Sequence, residues 1–215
     1  MGSGGNVGVD LAEDDGSKGP IFFLSYAHTQ AVDTVVQFFE LLSQHVQELV
    51  GLGTGDAAGY MDDSMDDGSY WSHELMSAIG TCPVFVPLIS PRYLRSAWCA
   101  REWHAFQRRT VHTIPPGGNT SPVLPVRWAD TPMDDIPEVI KKLQFFRPTG
   151  SERPELRRRY HSEGMYGLSV GGDESYKLLV WRIAQQINRI YRTHRVETDI
   201  VRDHTTLPSS FRGDR

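Results

Sequence analysis

The stretch Cys82-Pro-Val-Phe-Val-Pro-Leu-Ile89 decides the fold. It is continuously apolar, short, and closed by Ser90-Pro91. A run of this length without polar alternation reads as a central strand buried on both faces. Upstream, Ile21-Phe22-Phe23-Leu24-Ser25-Tyr26 is a second buried strand. Between them, Val32, Val35, Val36, Phe39, Leu42, Val46, Leu49 and Val50 share one helical face, and Gly51 ends that helix. Ala57–Asp62 reads as a weak strand, 63–70 as an Asp- and Gly-rich loop, and Trp71–Ile79 as a short helix before Gly80.

Downstream, Tyr93–Arg109 reads as a helix, Val123–Trp128 as a strand and Ile136–Leu143 as a short helix. Gln144–Arg147 reads as a fifth, edge strand, and Arg153–Gly172 as charged and irregular. Ser175–Tyr191 carries Leu179, Val180, Ile183, Ala184, Ile187 and Ile190 along one face of a last helix. Alternating helices and apolar strands imply a parallel sheet covered on both sides. The expected architecture is a flavodoxin-like three-layer α/β sandwich with a central, mainly parallel five-stranded sheet. Ligands of such sheets bind outside the carboxyl ends of the strands. That directs attention to Ser25–His28, Asp62–Gly68, Ser90–Glu102 and Trp128.

The chain has 215 residues, enough for one domain with tails. Residues 1–19 hold six glycines and five charges and read as a flexible segment. The domain is expected over 20–194, with 195–215 a polar tail or linker. A net charge of −5 argues against a nucleic-acid surface. No apolar run is long enough to span a bilayer. Two cysteines, Cys82 and Cys99, exclude a disulfide framework and suit a reducing cytoplasm.

Several motifs fail on inspection. Gly51-Leu-Gly53-Thr-Gly55 follows a helix, not a strand, so it is no dinucleotide fingerprint. His73-Glu74 opens like a zincin motif, but Ser77 stands where the second histidine is needed, so no metal site is expected. Cys99 and His104 lie about 140° apart on a helix, too far round for a nucleophile–base pair. Cys82 reads as a core thiol, and the Arg153–Arg159 cluster as a solvated loop. What survives is Ser96-Ala-Trp98-Cys99-Ala-Arg101-Glu102-Trp103. Trp98 and Glu102 are i and i+4 and share a face at the ligand edge. An aromatic plane beside a carboxylate suits a nucleoside; equally, Trp98 docks the helix and Glu102 is a surface acid or pairs with Arg101 or Arg95.

Phe23-Leu-Ser25-Tyr26-Ala27 resembles the first box of TIR (Toll/interleukin receptor) domains. Gly59-Tyr60-Met61-Asp62-Asp63, with Gly68 and Trp71, resembles their second strand and the BB loop after it. Phe85-Val-Pro-Leu-Ile-Ser90-Pro-Arg-Tyr93, followed by Ser96–Glu102, resembles the segment from the third strand into the helix bearing the enzymatic glutamate. In Phe22–His28, Val84–Leu88 and Glu102–Phe106 the chain is most similar to actinobacterial TIR-like proteins associated with FxSxx-COOH peptides.

The resemblance implies two kinds of function. Many bacterial and plant TIR domains cleave NAD⁺ at the nicotinamide–ribose bond, releasing nicotinamide with ADP-ribose or a cyclised product. Many animal TIR domains are only assembly modules, associating through the BB loop and neighbouring helices. It implies a catalytic role for Glu102 and substrate binding by Trp98, with Ser25, Tyr26, His28, Asp62 and Ser90 as further candidates. NAD⁺ is then a substrate, and no cofactor is implied. Expected partners are NAD⁺, further TIR domains and a fused or separate sensing domain, with neither nucleic acid nor membrane. The loop 62–68 departs from the family: it is acidic, without the usual Arg-Asp pair or Pro-Gly. Ala27-His28 replaces the basic residue that often follows the first box, so phosphate contacts are expected from Arg92, Arg95, Lys18 or backbone amides.

Overall fold

The computed structural model describes residues 19–28, 32–53, 55–62, 72–115, 121–148, 154–172 and 174–212. The expectations for 1–18, for the whole loop 63–70 with Gly68, and for Trp71 and Lys18 lie outside them.

In chain order the strands are β1 (Phe22–Ser25), β2 (Gly59–Met61), β3 (Val84–Ile89), β4 (Val111–Thr113), β5 (Val126–Arg127) and β6 (His194–Val196). The helices are α1 (Val32–Val50), α2 (His73–Thr81), α3 (Ala97–Gln107), α4 (Glu138–Lys141), α5 (Pro154–Val170) and α6 (Glu174–Thr193). A four-stranded parallel sheet runs β2-β1-β3-β5. From β1 the chain steps one way to β2 and the other way to β3, so the topological switch lies between the carboxyl ends of β1 and β3.

Period-2 alternation sorts the side chains. Phe22, Leu24, Val84, Val86 and Leu88 enter one core with α1, α5 and α6. Phe23, Phe85 and Ile89 enter a second core with α2 and α3. Ser25 is two residues beyond Phe23 and so faces the α3 layer. On α1 the buried stripe is Val35, Phe38, Leu42 and Val46, with Phe39 at its flank. Gly59 is dictated by a close approach: a Cβ there would come within 2.4 Å of the Phe22 ring.

Three expectations need correction. Gln144–Arg147 forms no ladder; its tie to the sheet is one bond, Phe146 N–H to the Pro125 carbonyl at 2.9 Å. The sheet therefore has four described strands rather than five. Arg153–Gly172 is not irregular, because α5 lies within it and buries Leu156, Tyr160, Met165 and Leu168. Its period is broken at Gly164, where φ is 68° and the backbone leaves the helix. The segment after 194 is also more than a polar strand of chain. β6 pairs antiparallel with β4, a strand not expected from the sequence, and Val201 and Phe211 are buried in the second core.

The expected helix from Tyr93 divides into a 3₁₀ turn, Tyr93–Arg95, and α3. Ser96 separates them by capping α3, its hydroxyl accepting from Cys99 N–H at 3.2 Å. Among the described residues no helix is long and apolar enough to cross a membrane.

Candidate functional site

Three strand ends and one helix converge at the switch point. β1 contributes Ser25 and, just beyond it, Tyr26. Asp62 follows β2, and Ser90 follows β3 and leads through Tyr93 into α3. The Ser96 cap fixes where α3 begins, which turns Glu102 inward toward the end of β1.

Glu102 is 2% exposed. Its Oε2 accepts a hydrogen bond from Ser25 Oγ at 2.5 Å, a short contact. Ser25 Oγ also lies 3.1 Å from the Tyr93 hydroxyl. Burial pushes the Glu102 carboxyl up to about 8. The Ser25 hydrogen bond works against that shift, the Asp62 charge adds to it, and the Trp98 side chain again opposes it. Desolvation is the leading cause, so the resting side chain is largely neutral at pH 7.

Trp98 stands one turn before Glu102 and is half-buried. Its ring centroid lies 6.2 Å from that of His204, on a turn of the C-terminal segment. Of the two readings of Trp98 and Glu102, the surface acid is excluded. Glu102 is interior, and its carboxylate is held by Ser25 rather than by Arg101 or Arg95.

The remaining candidates divide. Tyr26 donates to the Asp62 carbonyl at 2.9 Å and stacks on exposed His28, with centroids 5.1 Å apart. These contacts bring Tyr26, His28 and Asp62 together beside Ser25. Ser90 acts locally, since its hydroxyl accepts from Tyr93 N–H at 3.1 Å and starts the 3₁₀ turn. Arg92 and Arg95 are exposed on that turn.

Sequence reasoning passed over one residue of this cluster. Tyr93 is fully buried with its hydroxyl on Ser25. Its place in the segment Ser90–Tyr93, directly after the central strand, was the available signal. Cys99 is also buried; desolvation first, and the nearby Glu102 charge second, push its thiol well above the usual value. His104 turns away from it to the Ser210 carbonyl, 3.0 Å from Nε2. Cys82 is a core thiol pushed up to about 12 by burial, beside Arg109.

The structure thus brings a buried Glu102, held by Ser25 at the carboxyl end of β1, close to Trp98 one turn earlier on α3. The sequence profile of the TIR domain family matches residues 22–159. The chain belongs to the TIR domain family. No curated protein matches it. The match spans the candidate site of this TIR domain, from Ser25 to Glu102. It stops before the second half of α5, α6 and the C-terminal segment that packs on α3.

Proposed function

We propose that this TIR domain is an NAD⁺ nucleosidase of bacterial type, acting in the cytoplasm in defence or signalling. The observation that carries the reading is the buried Glu102 carboxyl, held by Ser25 at the switch point with Trp98 one turn away. Cleavage breaks the bond between ribose C1′ and the pyridinium nitrogen. Both electrons go to nitrogen, so nicotinamide leaves neutral and needs no general acid. The ribosyl fragment takes on oxocarbenium character. Water then adds at C1′ and loses a proton, giving ADP-ribose; attack by an adenine nitrogen gives a cyclic isomer.

A single carboxylate suffices for this chemistry. Glu102 supplies negative charge and accepts hydrogen bonds from the ribose hydroxyls, an interaction that strengthens as positive charge grows. Trp98 offers its face to the pyridinium, an attraction of about 0.5–2 kcal/mol. The incoming cation also favours the ionised form of a carboxyl that rests neutral. Tyr26, His28 and Asp62 line the ribose side, and Ser90 shapes the turn.

The deep burial of Glu102 favours a second reading, a non-catalytic module working through TIR–TIR self-association with a sensing partner. The deciding experiment is nicotinamide release from NAD⁺ by the purified chain, at high protein concentration with a crowding agent. Glu102→Ala and Glu102→Gln are run beside it. Release by the wild type alone supports the nucleosidase. No release from folded, visibly self-associated protein overturns it and leaves the assembly module, whose association survives Glu102→Ala.

A further inference from the structure

When Glu102 is ionised it can only accept, so the one proton Ser25 has to give goes to Glu102 Oε2. The Tyr93 hydroxyl, 3.1 Å from the same serine oxygen, must then donate to Ser25. The result is a directed chain, Tyr93 O–H to Ser25 O–H to the Glu102 carboxylate. Each donor in such a chain polarises the next. Tyr93 itself is locked. Its ring centroid lies 5.4 Å from that of Phe211, which is 3% exposed and packs edge-on against Trp103 at 5.9 Å. Ser90 fixes the Tyr93 backbone from the other side. Phe211 lies beyond the family match, which ends at residue 159.

We infer that Tyr93 is a positioning residue for Glu102, acting through Ser25 and held in place by Phe211 of the C-terminal segment. This inference rests on the reading of Glu102 as the working carboxylate. The Tyr93 hydroxyl fixes the rotamer of Ser25, so that its proton points to Glu102 rather than to a backbone carbonyl. Other groups face Glu102 from the packed elements: Asp62 after β2, the neutral Cys99 thiol on α3, and the Trp98 indole. Asp62 opposes its charge. The Tyr93–Ser25 chain and Trp98 are what favour it.

The test uses the full chain with ¹³C-labelled glutamate side chains and follows the Glu102 carboxyl by NMR from pH 5 to 10. Glu102→Gln assigns its signal. Tyr93→Phe removes the hydroxyl and keeps the ring. The Glu102 titration midpoint is expected to rise by about one unit in Tyr93→Phe and at least as far in Ser25→Ala. The double variant should move no further than Ser25→Ala, because the tyrosine acts through the serine. Phe211→Ala should give part of the rise, and Phe211→Tyr should restore the wild-type midpoint. In NAD⁺ cleavage, Tyr93→Phe is expected to lower kcat about tenfold while KM stays within about twofold. An unchanged midpoint in Tyr93→Phe, or a shift that adds to that of Ser25→Ala, overturns the inference. The titration needs no turnover, so a chain that never cleaves NAD⁺ overturns the proposed reaction and still leaves this relay to be judged.

Discussion

Ser25 and Glu102 are 77 residues apart in sequence and 2.5 Å apart in space. The contact joins the last residue of β1 to the middle of α3. It is the one place where strand alternation, the switch in strand order and the helix cap all act on the same two side chains. Removing the serine hydroxyl leaves Glu102 buried without the donor that best favours its charge. Ser25→Ala is therefore expected to reduce NAD⁺ cleavage by roughly 10–100-fold, the loss of a charge-assisted hydrogen bond of about 1.5–3 kcal/mol. Steady-state rates at pH 7 and 9 check this. A variant within twofold of wild type at both would remove Ser25 from the site.

The raised Glu102 carboxyl links stability to pH. Its folded value, about 8, lies above the ordinary value of 4.5. The folded state therefore holds a proton the unfolded state has lost, and stability falls as pH rises from about 4.5 to 8. Above that window the loss is complete, on the order of a few kcal/mol. Glu102→Gln keeps the shape and has no proton to lose. Urea denaturation of both chains from pH 5 to 9 should show the variant gaining on the wild type with pH and exceeding it at pH 9. Parallel curves would mean that Glu102 titrates normally.

The same carboxyl sets the expected pH–rate profile. In the free chain Glu102 must lose its proton, so kcat/KM should rise along a limb centred near pH 8. With the cationic substrate bound, the carboxylate is favoured and the limb in kcat should lie lower. Coincident limbs in kcat and kcat/KM would count against contact between Glu102 and the cation.

The central strands, α1, α6 and the direction of the ligand edge were legible in the sequence because each carries a strong period. CPVFVPLI can be satisfied only by burial on both faces. Trp98 and Glu102 were legible as a pair because helical spacing puts them together whatever surrounds them. Ser25 was a candidate by position alone; its bond to Glu102 depends on α3 beginning at Ser96, which the expectation of one helix from Tyr93 conceals. The split there comes from the Ser96 hydroxyl capping Cys99 N–H, a local bond that competes with continuing the helix. Arg153–Gly172 reads as irregular because its charges fall on the solvated face and Gly164 resets the period between Tyr160 and Met165. The C-terminal segment reads as a tail for a different reason. Val201 and Phe211 are single anchors ten residues apart, and single anchors leave no period.

Gly164 makes that reset testable. Its φ of 68° favours glycine, and an added Cβ would stand 2.4 Å from the Trp128 carbonyl oxygen. That carbonyl accepts from Tyr166 N–H at 2.8 Å, so the backbone there has little freedom to yield. Gly164→Ala is expected to cost about 2–4 kcal/mol. Gly51 has a similar φ of 73° with nothing near the added atom, so Gly51→Ala should cost only about 1 kcal/mol. Thermal melts of the two variants separate the clash from the dihedral. Equal losses would place α5 away from Trp128.

Phe211 decides whether the end of the chain belongs to the domain. A residue in a solvated tail can be truncated with a change of about 0.5 kcal/mol or less. Phe211 is instead 3% exposed among Tyr93, Trp103 and the second core. The segment leading to it is tied down along its length. Asp199 N–H bonds to the Gly80 carbonyl at 3.1 Å, and buried Arg109 donates to the Glu197 carbonyl at 2.9 Å. Phe211→Ala should therefore cost about 3–5 kcal/mol, as for a core phenylalanine. Amide exchange in α3 should accelerate with it, while α1 and α6, on the other face of the sheet, lose less protection. Stability within about 0.5 kcal/mol of wild type would return residues 197–212 to the role of a tail and detach Glu102 from any influence of the chain's end.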